Sequence, residues 1–268
     1  MHHAKSLNIL IENEEISSVF LSRTVRVDFY SPAVSAKSGD MSLLLLNDGQ
    51  DLAKMAFEEV IDNLYNNDLL NPLLCVGIHC GADRKMEYGT AGIPDYKGRG
   101  AKATFYTQFI LAELIPYIQN KYPLFSFKEK SFAGFSLGGL SALDIAWNYP
   151  QHFSKVGVFS GSLWWRNRGY DNGYNDETDK IMHAKIRNGN YHPSMKFFLQ
   201  CGAADESEDR NNNGIIDSID DTLDLIKELK KKGYNDVDIK YLELADGKHD
   251  IPTWKKAFPD FLKWGWGK

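Results

Sequence analysis

Eight short runs rich in leucine, β-branched and aromatic residues punctuate the chain, over 7–11, 24–30, 41–46, 73–79, 131–135, 156–160, 196–200 and 237–244. From the third onward each is followed by a helical pattern or a long loop. Continuous apolar runs such as Leu43-Leu44-Leu45-Leu46 suit strands covered on both faces, as in a parallel sheet. Strands alternating with helices predict an α/β architecture, an eight-stranded, mostly parallel sheet with helices on both faces. The strongest helical pattern covers 101–121, where Phe105, Phe109, Leu111 with Ala112, Ile115 and Ile118 recur at near-helical spacing before Tyr122-Pro123 ends it. Pro116 is expected to kink its last turn. Further helices are expected over 219–232 and 252–264. No internal repeat, linker or composition break divides the chain, so 1–268 is read as a single domain. Two irregular stretches, 81–100 and 164–193, are long for a compact domain and are candidate active-site walls.

Composition narrows the function classes. With 268 residues, 43% of them hydrophobic, a sizeable core is available. A net charge of -5 and scattered Lys and Arg residues offer no basic footprint, which excludes a nucleic-acid partner. The start of the chain, Met1-His2-His3-Ala4-Lys5, leads into a short apolar run and then Glu12, Glu14 and Glu15. It holds no signal or membrane-spanning pattern, so a cytoplasmic protein is expected, or a periplasmic one if a leader has been trimmed, with no membrane partner. Cys75, Cys80 and Cys201 lie in apolar strand-like runs and are read as core thiols. Cys80 beside His79 lacks further ligands at metal spacing.

Chemistry concentrates at Gly134-Phe135-Ser136-Leu137-Gly138-Gly139. This GxSxGG element follows the fifth apolar run and precedes a helical pattern, giving strand, sharp turn and helix. In the nucleophile elbow of α/β-hydrolases such a turn lifts a serine hydroxyl out of the sheet. A serine hydroxyl needs a general base, and the base an orienting acid, in chain order Ser, acid, His. His249 lies just after the last strand, where the base belongs, while the other histidines precede the fold or the expected acid. Asp205 is the first carboxylate after the seventh strand and is chosen as the acid, with Glu206, Glu208 and Asp209 close enough to compete. An oxyanion hole needs two backbone N–H groups, and Leu137 and Gln50 are the expected donors, the latter from Asn47-Asp48-Gly49-Gln50-Asp51 after the third strand. A plain β-turn with Gly49 at positive φ would use the same residues.

Set beside Leu46-Asn47-Asp48-Gly49-Gln50, Arg84 with Glu87-Tyr88, Glu113-Leu114-Ile115-Pro116, Ser160-Gly161-Ser162-Leu163-Trp164-Trp165 and Gly247-Lys248-His249-Asp250 with Trp254, the elbow resembles the Putative esterase family, the esterase D and enterochelin-esterase-like branch of the α/β-hydrolases. The likeness runs from about 25 to 264. It implies the α/β-hydrolase fold and carboxylic-ester hydrolysis with Ser136 as nucleophile, His249 as base and Asp205 as acid. Many relatives read His-Gly where this chain has Asp48-Gly49.

No cofactor is required for such acyl transfer. Trp164, Trp165 and Tyr170 could stack on an aromatic or sugar part of the substrate, or pack as a cap on the core. Arg166 and Arg168, with Arg84 and Arg99, could receive an anionic group, although such arginines are more often solvated. The expected partner is a small-molecule ester: a siderophore lactone, a sugar or aryl ester, or a small acyl ester. An acyltransferase of the same fold is the alternative, separable by product analysis with an added acceptor. A non-catalytic binding module is opposed by the complete Ser136, Asp205 and His249 set. Finally, Asp209, Asn211, Asn213, Ile215, Asp217 and Asp220 occupy the liganding positions of an EF-hand-type loop with Gly214 at position 6. Such a loop could hold a structural Ca2+, but position 12 is Asp rather than Glu, no entering helix precedes it, and an acidic turn capping the next helix would use the same residues.

Overall fold

A computed structural model describes residues 9–33 and 41–268. Residues 7 and 8 of the first predicted strand, and His2 and His3, lie outside the described residues. The strands are β1 (Ile9–Ser18), β2 (Arg23–Pro32), β3 (Ser42–Asn47), β4 (Leu73–Ile78), β5 (Lys130–Phe135), β6 (Lys155–Phe159), β7 (Lys196–Ala204) and β8 (Ile239–Lys248). They form one eight-stranded sheet in the order β1-β2-β4-β3-β5-β6-β7-β8. β1 and β2 pair antiparallel, β2 joins β4 antiparallel, and every pairing from β4 to β8 is parallel. This is the α/β-hydrolase-type sheet that the sequence predicts.

The helices are α1 (Phe57–Asn66), α2 (Arg84–Glu87), α3 (Ala103–Gln108), α4 (Ile115–Lys121), α5 (Leu137–Asn148), α6 (Asp176–Asp179), α7 (Ile181–Asn188), α8 (Asp217–Lys232) and α9 (Ile251–Trp266). The leucine run of β3 explains how they are arranged. Successive side chains of a strand point to opposite faces. Leu43 and Leu45 therefore join one core with Leu140, Leu143, Leu225 and Leu229 from α5 and α8. Leu44 and Leu46 join another with Phe57 and Ile61 of α1 and Phe258 and Phe261 of α9. All four leucines are at most 1% exposed, and burying each contributes about 2 kcal/mol.

Three expectations are corrected. The 101–121 pattern is not one α-helix: α3 and α4 are joined by a π-helical stretch, Phe109–Leu114, and Pro116 sits in the first turn of α4. Proline removes an N–H and crowds the preceding turn, and a widened turn directly before it relieves both. The 164–193 stretch is partly helical, carrying α6 and α7. Cys75 and Cys201 are core thiols, the latter pushed up to about 12 by burial. Cys80, however, lies just past β4, is partly exposed, and donates its N–H to Gln50 Oε1 at 3.1 Å. Its neighbour His79 is held by Asp28, Nε2 to Oδ2, at 2.6 Å. No helix among the described residues is long and apolar enough to cross a membrane.

Candidate active site

β5 ends at Phe135 and α5 begins at Leu137, which leaves Ser136 as the N-cap at φ 54 and ψ -123. This conformation is strained for a residue with a Cβ, by about 1–3 kcal/mol. It is held by hydrogen bonds on both sides, Ser136 N–H to the Phe159 carbonyl at 2.8 Å and Ser162 N–H to the Ser136 carbonyl at 3.1 Å. The turn also requires glycine at 134, where a Cβ would overlap the Gly138 carbonyl. Ser136 Oγ lies 3.4 Å from Ser162 Oγ, a residue of the Ser160–Trp165 segment to which the sequence alone assigned no role.

Gly49–Asp51 forms a single 3-10 turn after β3. The N–H groups of Gln50 and Leu137 both fall in the first turn of their elements, where no intrahelical acceptor exists, and neither has another acceptor among the described residues. The positive φ in this turn belongs to Asp48, at 60. Gly49 is needed for a different reason: a Cβ there would run into the backbone of Gly77 and Ile78 on β4. The Asp48-Gly49 departure has its own compensation. Asp48 is 2% exposed and takes both arms of Arg84, Nε to Oδ1 at 2.7 Å and Nη2 to Oδ2 at 2.6 Å. Asn47 Nδ2 donates to the Gly138 carbonyl at 2.8 Å, and Tyr106 donates its hydroxyl to Asn47 Oδ1. The β3 loop and the elbow are thus fastened to each other through buried polar groups.

β7 runs to Ala204, and Asp205 follows with its carboxylate folded against Gly202, where a Cβ would meet Asp205 Oδ1 and the Gly247 backbone. Both Asp205 oxygens are buried without a hydrogen-bond partner. β8 ends at Lys248, and His249 is clamped from both sides: Lys248 N–H donates to Thr253 Oγ1 at 2.8 Å and Asp250 caps α9 through the Thr253 N–H at 3.0 Å. Burial lowers the imidazole pKa from its ordinary value; Asp205 opposes that shift and Arg84 adds to it. Asp205 is thus the carboxylate that acts on His249 most. Among its competitors, Glu206 is raised by burial, Glu208 is exposed, and Asp209 is engaged in its own loop. No hydrogen bond links Ser136, His249 and Asp205 among the described residues; such bonds commonly tighten only around substrate.

The residues expected to face a substrate divide. Trp164 is partly exposed and Tyr170 is 50% exposed, whereas Trp165 is fully buried. Trp165 is therefore a packing residue, stacked beneath Arg99 at 5.2 Å. Arg84 pairs with Asp48, Arg99 with Asp95, and Arg168 approaches Asp179 at 3.9 Å. Arg84 thus spends its Nε and Nη2 on Asp48. Arg166 has no ion-pair partner among the described residues, and its Nε is buried without an acceptor.

The loop 209–220 closes on itself. Asp209 accepts the N–H groups of Asn213 and Gly214, and the amides of Asn211 and Asn213 both donate to Asp220 Oδ2, at 2.8 and 3.2 Å. Arg210 pairs with Asp217 at 3.1 Å. Asp209, Asp217 and Asp220 place hard oxygens on this loop, but the amide oxygens of Asn211 and Asn213 already accept the N–H groups of Asn213 and Ile215, and no three His, Cys, Asp or Glu side chains converge as a metal set among the described residues.

The family model described as "Putative esterase" matches residues 18–264. The uncharacterized protein YbbA of Bacillus subtilis (strain 168) is 24% identical over 245 residues, covering 90% of this chain and 91% of that protein. Among solved structures, the enterobactin esterase FES of Shigella flexneri superimposes with a TM-score of 0.73 at 22% identity, over 97% of this chain and 60% of that one. The chain thus spans about 60% of that protein's length, less than two thirds of it. A ferulic acid esterase superimposes with a TM-score of 0.72 at 18% identity, over 97% of this chain and 98% of that one. At these identities the structural likenesses establish the fold.

Proposed function

The chain belongs to the Putative esterase family, and we propose that it is a serine carboxylic-ester hydrolase working through an acyl-enzyme on Ser136. The observation that carries this reading is the strained Ser136 turn, with the Leu137 N–H next to it and the Gln50 N–H on the β3 loop that Asn47 fastens to Gly138, both without acceptors among the described residues. Ser136 Oγ attacks the ester carbonyl carbon while His249 takes its proton. The carbonyl oxygen, now an oxyanion, receives the Gln50 and Leu137 N–H groups and lies at the positive end of α5. His249 then protonates the departing alcohol, and water repeats the sequence to release the acid. Asp205 holds the imidazole's tautomer and stabilises its charged form. The lowered pKa of His249 keeps it neutral, and so able to accept a proton, at neutral pH. The solved neighbours are named for enterobactin and ferulic acid, so siderophore lactones, aryl esters, sugar esters and small acyl esters form the substrate range to test.

Hydrolysis of p-nitrophenyl acetate by the wild type, with a loss of at least about 10^3-fold in Ser136→Ala and fluorophosphonate labelling confined to Ser136, is the expected result. Activity that survives Ser136→Ala would exclude the mechanism.

We also propose that the 209–220 loop binds a structural calcium ion through Asp209, Asn211, Asn213, the Ile215 carbonyl, Asp217 and Asp220. The ion would supply rigidity to the segment that begins four residues after Asp205.

A further inference from the structure

The neighbouring strands β5 and β6 both end in a left-handed serine. Ser136 follows β5, and Ser160 follows β6 at φ 46, a conformation that a residue with a Cβ keeps only when its surroundings over-determine it. They do so here. The Ser160 N–H donates to the Gln200 carbonyl of β7 at 2.8 Å, and the Ser160 hydroxyl accepts the indole N–H of Trp254 from α9. Gly161 then turns so tightly that a Cβ would run into Val158 of β6. Ser160 is 2% exposed and its hydroxyl is committed to Trp254, so what this second strained turn delivers is the residue two places on.

That residue is Ser162. Its N–H is fixed on the Ser136 carbonyl at 3.1 Å, and its carbonyl takes the Trp165 N–H at 3.2 Å. It is 4% exposed, with its hydroxyl 3.4 Å from Ser136 Oγ, the one side-chain hydrogen bond that either serine makes among the described residues. The contact is looser than the roughly 2.5–3.0 Å of a settled O–H···O bond, as suits one that tightens when charge builds on one of its oxygens.

Either hydroxyl can donate, and the proposed reaction decides between them. For Ser136 to pass its proton to His249, its own O–H must point at the imidazole, which leaves Ser162 as donor and Ser136 Oγ as acceptor. During acylation such a bond has opposing effects: it stabilises the charge growing on Oγ but draws density from the lone pair that attacks. During deacylation nothing opposes it. Water gives a proton to His249 as its oxygen attacks the acyl carbon; the C–Oγ bond then breaks, its electron pair goes to Oγ, and the proton on His249 follows it there. Ser162 keeps its own proton throughout and only shares it. Resting on the ester-hydrolase reading above, we propose that Ser162 is a catalytic residue whose hydroxyl stabilises Ser136 Oγ as the leaving group of the acyl-enzyme.

The test is the release of p-nitrophenol from p-nitrophenyl acetate by the wild type and by Ser162→Ala, followed from the first turnover into the steady state. The substitution removes one oxygen and leaves the backbone bonds of Ser162 in place. Acylation alone sets kcat/KM, whereas slowed deacylation lowers kcat and KM together. In Ser162→Ala both are expected to fall by about tenfold, with kcat/KM kept and a burst of one p-nitrophenol per Ser136 preceding the steady state. A kcat equal to that of the wild type would overturn the assignment. So would kcat and kcat/KM falling by the same factor, because the loss would then lie in acylation, as general misplacement of Ser136 would produce. In either case wild-type turnover leaves the esterase reading standing and removes Ser162 alone, whereas a wild type that hydrolyses no ester removes both.

Discussion

The Trp254 indole stands edge-on to the His249 imidazole, ring centroids 5.5 Å apart, while its Nε1 donates to Ser160 Oγ at 3.0 Å. The same indole stacks on Phe135, the residue before Ser136, at 4.9 Å. One side chain from α9 therefore packs between His249 and the Ser136 turn. Trp254→Phe keeps a ring but loses the hydrogen bond, and kcat is expected to fall by about tenfold with KM little changed, since small misplacements of a catalytic group are costly. Equal kcat for mutant and wild type would show that His249 is positioned by its loop clamp alone.

Because burial lowers the His249 pKa below the ordinary 6.5, kcat/KM should hold as pH falls to that value and decline only beneath it. Arg84→Gln removes a nearby cation and leaves Asp48 unpaired; both changes favour the protonated imidazole, so the acid limb is expected to move to higher pH. The same depressed value makes protonation of His249 favour unfolding, an effect absent well above 6.5 and growing as pH falls through it. Parallel pH profiles of kcat/KM for the two proteins check the direction; a downward move of the limb in Arg84→Gln would contradict it.

Removing Asp48 strands the Arg84 guanidinium beside Tyr88 and unfastens the β3 loop. Asp48→Ala is expected to cost about 3 kcal/mol, the lower end for breaking a buried pair, because the Arg84 side chain keeps 29% of its surface in solvent. It should also lower kcat, since the turn that aims the Gln50 N–H has lost its anchor. Urea unfolding beside steady-state kinetics reads both effects. A variant that loses stability but keeps full kcat would remove Gln50 from the oxyanion site.

Calcium at a hundredfold excess over its dissociation constant is expected to raise the melting temperature by about 5 °C, and Asp209→Ala should abolish the response. Identical melting curves and intrinsic fluorescence with calcium and with chelator would leave the loop as a self-closed acidic turn.

Most of the scaffold is legible along the chain because its signals are local. The leucine run of β3 declares a strand covered on both faces, and the flanking glycines of Ser136 declare a sharp turn. What escapes reading depends on partners far apart in sequence or on hydrogen-bond geometry rather than side-chain spacing. The Phe109–Leu114 π stretch keeps the apolar rhythm of an α-helix, so periodicity alone extends one helix across it. Asp48 and Arg84 pair across 36 residues, and nothing near either residue in the chain reveals that the arginine is already paired. Trp164 and Trp165 are neighbours of one type in sequence, yet one is partly exposed and the other is sealed in the core. That Arg166 has no ion-pair partner among the described residues becomes visible only once the carboxylates of Arg84, Arg99 and Arg168 are known.

The left-handed turn at Ser136 has an evolutionary corollary. Glycine would adopt that backbone without penalty, so Ser136→Gly should melt higher than the natural chain while doing no chemistry, a gain of about 1 kcal/mol at the low end of the strain. Screening for thermal robustness alone would reward this inert variant. The serine persists at position 136 against the fold's own preference, and any programme to harden this protein must select for turnover and heat resistance together.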